Sequence, residues 1–181
     1  MKRKLFQFLS FAVIIAFMMP ALTHAQAGKA NFAGNWVVNT EKSTQPQQPA
    51  GGQGGGQGGG NRGFGGPQTV AQEANLLTVE TTRTNPQTNE VTKNVMKYTL
   101  DGKESVNTSA RGDSKSVATW SADGKSLTIV TTRTMDRNGE TMTFKTSSVW
   151  TLDGANLVVT TTTPGMNGGA DRVVKVVFDK K

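Results

Sequence analysis

The chain contains no cysteine, and its single histidine, His24, lies in a segment that we expect to be removed on export. Without cysteine there can be no disulfide and no thiol nucleophile, and the lipid anchor that bacteria attach to cysteine is excluded as well. Without histidine, a serine-histidine-aspartate triad is impossible, as are zinc and haem sites built from histidine or cysteine ligands. We therefore predict no catalytic residues, no metal site and no cofactor, and expect that the protein is not an enzyme.

The first 25 residues have the pattern of a secretory signal peptide, with a basic start at 2–4 and an apolar run at 5–19. The apolar run is shorter than the roughly 20 residues that a membrane span requires. Cleavage after Ala25 or Ala27 is expected. Cleavage after Ala25 leaves 156 of the 181 residues and lowers the net charge from +7 to +4, because three basic residues are lost. We expect an exported, soluble protein, periplasmic or extracellular, without a transmembrane span or lipid anchor.

Composition divides the remaining chain into three parts. Residues 26–42 form an N-terminal segment with a first strand at 31–39, and residues 43–67 are a low-complexity stretch of glycine and glutamine that we expect to be a flexible loop. Residues 68–181 are the main β-region, which should form a single domain together with 31–39. The positive charge is spread across this region without a basic run, which argues against nucleic-acid binding.

Turn dipeptides punctuate residues 68–181, with Asp-Gly at 101, 123 and 153 and Asn-Gly at 138. Between them the sequence is rich in threonine and valine and has no helical periodicity. The pattern predicts strands near 31–39, 68–73, 76–84, 89–100, 103–109, 115–121, 126–135, 140–152, 156–163 and 171–179. Short loops should pair each strand with its predecessor. The predicted fold is therefore all-β, an antiparallel up-and-down meander of about eight to ten strands closed into a barrel, with an open curved sheet as the alternative.

An internal repeat supports a hairpin architecture. The pattern Leu-Thr-x-x-Thr-Thr-Arg-Thr occurs at 77–84 and again at 127–134, and each copy is followed by an aromatic residue three positions before Asp-Gly. Duplication of a hairpin unit explains the match. Convergence of hairpins with similar turns is the alternative.

Strand alternation predicts an inner face that is apolar at one end and lined by hydroxyls and arginines at the other. Such a gradient suits an amphipathic ligand with a carboxylate head. The candidate ligand-binding residues are Arg83, Arg133, Thr81, Thr131, Tyr98, Phe144 and Trp150. The alternatives are that the arginines reach solvent at strand ends and that the aromatic residues pack hairpin ends.

The segment Phe32-x-Gly34-x-Trp36 resembles the Gly-x-Trp signature of lipocalins, and the chain as a whole resembles a lipocalin-like family of small exported bacterial proteins. The resemblance implies that Trp36 and Gly34 form a structural plug at the closed end of a barrel that binds small hydrophobic molecules. A count of about ten strands is closer to that of fatty-acid-binding proteins than to the eight of lipocalins.

The function that we predict is non-covalent binding of a small hydrophobic or amphipathic ligand. The alternative is an envelope-associated structural or interaction protein with a filled core and no ligand cavity. The glycine-rich stretch 43–67 would gate the mouth of the barrel in the first case and could capture a partner in the second.

Overall fold

A computed structural model describes residues 28–44, 66–85, 87–109, 112–137, 140–165 and 169–181. The predicted signal peptide 1–25, most of the glycine-rich stretch 43–67 and the Asn-Gly pair at 138 lie outside the described residues. In the described part of the chain no helix is long and apolar enough to cross a membrane. The regular elements are ten strands: β1 (Gly34–Asn39), β2 (Gln68–Gln72), β3 (Leu76–Thr84), β4 (Val91–Thr99), β5 (Glu104–Ser109), β6 (Gly112–Trp120), β7 (Ser126–Arg137), β8 (Glu140–Asp153), β9 (Asn156–Thr163) and β10 (Arg172–Lys180).

The strands form one antiparallel sheet in the order β4-β3-β2-β1-β10-β9-β8-β7-β6-β5. Strand β1 pairs with β2 on one side and with β10 on the other, where Trp36 is opposite Lys180. The first and last strands of the chain are therefore neighbours, which curls the sheet into a nearly closed barrel and confirms the predicted fold class. All ten predicted strands are present, with ends that differ from the predicted ones by a few residues at most.

The pairing between β4 and β5 differs from the prediction that every strand pairs with its predecessor. These two strands form no backbone ladder. Instead the Asn107 carboxamide accepts a hydrogen bond from the Lys97 amide (2.7 Å) and donates one to the Lys97 carbonyl (2.9 Å). The Ser105 hydroxyl accepts one from the Thr99 amide (2.8 Å). A carboxamide has the same donor and acceptor as a peptide unit, so these side chains replace the ladder and hold the strands further apart. We call this junction the seam.

The inner face of the barrel is apolar at one end, where it forms the main core. Buried members of this core include Trp36, Leu77, Leu127, Trp150, Leu157 and Phe178. Along β8 the side chain of Trp150 is buried in this core, whereas that of Leu152, two residues further along the same face, is 38% exposed. Leu152 lies one residue before the end of β8, beside the Asp-Gly turn, and is paired with Leu157 on β9 but lies beyond the last β7 pair at Thr151.

Residues 28–33, which precede β1, close the apolar end of the barrel. The Phe32 ring is fully buried, stacked on Trp120 (centroids 5.7 Å apart) and edge-on to Trp150 (5.9 Å). The Gln72 carboxamide accepts a hydrogen bond from the Phe32 amide and donates one to the Ala30 carbonyl, both at 2.9 Å. We call residues 28–33 the plug segment, because they seal the floor on which the rest of the interior rests.

Candidate functional site

A partly open cavity of about 410 Å³ lies inside the barrel. Its walls come from β2, β3, β8, β9 and β10, the half of the barrel opposite the seam. The lining residues are Gln68, Arg83, Trp150, Val159, Thr161, Thr163, Arg172, Val174, Val176 and Phe178. Each lining residue occupies an inward-facing position of its own strand.

The wall formed by β9 and β10 changes from polar to apolar in regular steps. At one end Arg172 is opposite Thr163, and two residues further along β10 Val174 is opposite Thr161. The next inward pair, Val176 and Val159, is wholly apolar, and Phe178 follows at the core. Because successive inward residues are separated by two positions along a strand, this gradient follows the barrel axis. The cavity therefore has an arginine and hydroxyl mouth and an apolar base.

Two arginines line the mouth, Arg83 from the end of β3 and Arg172 from the start of β10, and both are exposed. Among the described residues neither forms an ion pair, since the four ion pairs found there all use lysines. A guanidinium without a carboxylate partner keeps its planar set of donors available for a carboxylate, sulfate or phosphate group.

A third donor lies just below Arg83. The Nε2 atom of Gln68 is buried and has no hydrogen-bond partner among the described residues. Gln68 is opposite Thr81 on β3, one inward position below Arg83. Buried amide groups are almost always hydrogen-bonded, so an unpartnered one in a cavity wall indicates a position for an acceptor atom.

The structure brings together two of the seven predicted ligand-binding residues, Arg83 and Trp150, in this cavity. The other five lie outside its lining: Thr81, Tyr98, Thr131, Arg133 and Phe144. Thr81 is beside the cavity, opposite Gln68. The Thr131 hydroxyl hydrogen-bonds that of Ser116 at 2.9 Å.

Arg133 and Phe144 are directly opposite each other on β7 and β8. Arg133 is half-buried, and its Nε atom has no partner among the described residues. Tyr98 is half-buried against the core beside Leu77, and desolvation raises the pKa of its phenol to about 12. The tyrosine therefore stays neutral through the physiological range.

Trp36 and Gly34 occupy the closed end of the barrel. Trp36 is 2% exposed, and its indole N–H donates to the Phe32 carbonyl at 2.9 Å. Gly34 has a φ of +151°, and a Cβ there would lie 3.2 Å from the Lys180 side chain and 3.5 Å from the Trp36 ring. The lipocalin-like resemblance implied this packing role for the pair.

Sequence reasoning missed Arg172, Gln68 and most of the β10 wall. The signal was present, because alternation in the predicted strand 171–179 places Arg172, Val174, Val176 and Phe178 on one face. What alternation alone does not give is the neighbour of β10. Its pairing with both β9 and β1 brings this strand beside the Thr161 and Thr163 hydroxyls and into the same wall as β2.

The comparisons with known proteins give little beyond the fold. No family model matches the chain, and no curated protein matches it. Among solved structures it is similar to zebrafish ileal bile acid-binding protein complexed with cholic acid. The identity is 22%, the TM-score is 0.43, and the match covers 64% of this chain and 72% of that one. A similarity at this level says nothing about the function of this chain.

Proposed function

We propose that this protein binds a small amphipathic anion non-covalently inside the barrel. The observation that carries the proposal is one cavity that joins an apolar base to a mouth with two arginines, neither of which forms an ion pair with any described residue. The apolar part of the ligand lies against Trp150, Val176 and Phe178. Its head accepts hydrogen bonds from Arg83 and Arg172.

The energetics of such a complex are favourable in both parts. Each methylene group transferred from water to the apolar base contributes about 0.8 kcal/mol. A hydrogen bond to a charged group contributes about 1.5–3 kcal/mol, less where water competes at an exposed mouth. The Gln68 amide, which has no partner among the described residues, offers a further donor to the head or to a polar atom just behind it. Micromolar affinity corresponds to about −8 kcal/mol, and association itself costs at least about 4 kcal/mol, so most of the binding energy must come from a tail of many methylene groups.

This arrangement favours a carrier over a catalyst, because the described lining residues present donors and apolar surface and include no carboxylate. No cluster of three potential metal-ligating side chains occurs among the described residues. We propose further that the protein acts outside the cytoplasm, on the evidence of the signal-peptide pattern at 1–25. The alternative of a barrel filled by its own side chains is disfavoured by the cavity volume.

Titration calorimetry with dodecanoate tests the proposal. We expect binding to the unmodified protein, and a loss of affinity of about tenfold or more in Arg172→Met and in Arg83→Met. The matched control is Lys175→Met, because Lys175 is on the same strand and has the same charge but is exposed on the outer face. Its affinity should stay within twofold of the unmodified protein.

Two results would contradict the proposal. One is the absence of binding to the unmodified protein. The other is an equal effect of the Arg172 and Lys175 substitutions, which would mean that net charge rather than the cavity mouth attracts the anion. Where dodecanoate binds as expected, native mass spectrometry of protein purified from an exporting bacterium identifies the natural cargo by its mass.

A further inference from the structure

We infer that the cavity selects amphipathic anions by chain length, with an optimum near a twelve-carbon chain. The inference rests on the proposed function and names its ligand class: single-chain anionic amphiphiles of medium length, in preference to long-chain ones. Three features of the interior carry it: a floor filled by buried side chains, a far wall held by hydrogen bonds between hydroxyl groups, and a cavity volume of about 410 Å³.

The floor of the barrel cannot admit a longer tail. Leu77, Leu127, Leu157 and Phe32 are all fully buried, and Phe32 is held by ring contacts to Trp120 and Trp150. Close-packed interiors resist insertion, and each extra methylene forces side chains out of their preferred rotamers. The plug segment beneath is also tied to the barrel through Gln72. A tail that reaches Phe178 therefore meets a closed surface.

In the wall opposite the cavity, hydrogen bonds between hydroxyl groups hold neighbouring strands together. The Ser116 and Thr131 hydroxyls lie 2.9 Å apart on β6 and β7, and at the edge of the cavity the Ser148 hydroxyl lies 2.9 Å from that of the lining residue Thr161. The buried Ser114 hydroxyl donates to the Asn107 carbonyl at 3.2 Å. An apolar tail that pushed into this half would break these hydrogen bonds without replacing them, at the cost of leaving buried polar groups unpaired. The cavity is thus bounded laterally as well as at its base.

The volume sets the size of the occupant. The cavity has a volume of about 410 Å³. One water molecule takes up roughly 30 Å³ in the liquid, so the cavity has room for about 14 groups of that size. A methylene group is similar in size to a water molecule. Dodecanoate, with its carboxylate and alkyl chain together, has this number of non-hydrogen atoms. Longer homologues must leave methylene groups in water.

The arginines define the other end of the site. A head held at Arg83 and Arg172 lies at the mouth, so a chain that is too long cannot keep its head there and bury its whole tail. Below the optimum, each added methylene is buried and should raise affinity about fourfold. Above it, an added methylene either stays in water and adds nothing or displaces the head from the arginines and lowers affinity.

The experiment is calorimetry of the unmodified protein with even-numbered alkanoates from hexanoate to octadecanoate, each below the concentration at which it aggregates. Affinity should rise steeply to dodecanoate and then level off or fall. A matched pair of variants places the limit in the cavity. Val159→Ala removes two methyl groups from the cavity lining and should move the break to tetradecanoate. Val158→Ala makes the same change on the outer face and should leave the break unchanged.

Each outcome has a definite meaning. A constant gain per methylene through octadecanoate overturns length selection but leaves the proposed function intact. Failure of every alkanoate to bind overturns both together. A break that stays at dodecanoate in the folded Val159→Ala protein, or moves as much in Val158→Ala, shows that the cavity volume does not set it. If Val159→Ala fails to fold, Val174→Ala removes the same two groups from the lining of the same cavity.

Discussion

Replacement of Gln72 by leucine should detach the plug segment and destabilise the whole barrel. The Gln72 side chain is 2% exposed and makes two hydrogen bonds of 2.9 Å, one from the fully buried Phe32 amide and one to the Ala30 carbonyl. Leucine has a similar volume but neither polar atom. The Phe32 amide and the Ala30 carbonyl would then lose their partners in a place that water reaches poorly.

The size of the effect follows from these two groups. Leaving a buried polar group unpaired costs about 1–3 kcal/mol, and the partly buried carbonyl should cost less than the buried amide. Leucine recovers some of this by burying additional apolar surface. We therefore expect the free energy of unfolding to fall by about 2–3 kcal/mol, which corresponds to a decrease in Tm of roughly 5–10 °C for a chain of this size.

Gln68 supplies a control of the same residue type on the same strand and the same inner face. Its Nε2 atom is buried but has no partner among the described residues, so Gln68→Leu removes a desolvated amide without breaking a hydrogen bond that the structure shows. The free energy of unfolding of this variant should be unchanged or slightly higher. Urea denaturation followed by tryptophan fluorescence measures both variants, and hydrogen exchange should show the Phe32 amide losing protection in Gln72→Leu.

The reasoning is refuted if Gln72→Leu changes the free energy of unfolding by less than about 0.5 kcal/mol, the range of ordinary surface substitutions. It is also refuted if the Gln72 and Gln68 variants lose the same stability, because hydrogen bonding would then not be the difference between them. Unchanged protection at Phe32 in Gln72→Leu would show that ring packing alone holds the plug segment.

Three further predictions concern the tyrosine, the turns and the seam. The phenol of Tyr98, the only tyrosine in the chain, should ionise near pH 12 in an absorbance titration. Because the pKa of this phenol is higher in the folded than in the unfolded protein, the free energy of unfolding should fall by about 2–3 kcal/mol as pH rises from about 10 to about 12. Ionisation near pH 10 in the folded protein would contradict this. Gly124→Ala should lower Tm more than Gly154→Ala, since both glycines have positive φ but only at Gly124 would a Cβ meet backbone, 2.5 Å from the Gly28 carbonyl oxygen; equal losses would show that φ alone matters. Asn107→Ala should speed hydrogen exchange at the Lys97 amide while β7 amides stay protected, and unchanged exchange there would mean that the carboxamide does not hold the seam.

The strands were predictable because their signals are local. Asp-Gly turns at 101, 123 and 153 and the two-residue alternation between them depend only on neighbouring residues, and the structure places strands β5, β7 and β9 directly after these turns. Closure was predictable in kind, because a long meander with polar outer positions leaves two edges that are best removed by pairing. The seam was not, because no local signal distinguishes Asn107 as a residue that replaces a ladder.

The cavity was only half predictable, and the internal repeat shows why. Arg83 and Arg133 occupy the same position of the repeated pattern, and sequence reasoning treated them as equivalent. The strands on either side of the two arginines differ in length. Arg133 is paired on both sides, with Ser114 on β6 and Phe144 on β8, and is half-buried. Among the described residues, Arg83 has a ladder partner on one side alone, Thr92 on β4, because the β2 ladder ends at the Gln68–Thr81 pair.

The short β2 therefore places the mouth of the cavity. In the described part of the chain, the β2 ladder stops at the Gln68–Thr81 pair, Pro67 accepts one more hydrogen bond from the Thr82 amide, and the Arg83 side chain beyond it is exposed. On the opposite side β7 and β8 continue past Arg133 and enclose it. If this explanation is correct, the two arginines should differ in binding although their local sequences match. Arg133→Met should leave dodecanoate affinity within twofold of the unmodified protein, whereas Arg83→Met weakens it about tenfold or more. Equal losses in the two variants would mean that the repeat, and not the length of the neighbouring strands, decides which arginine binds.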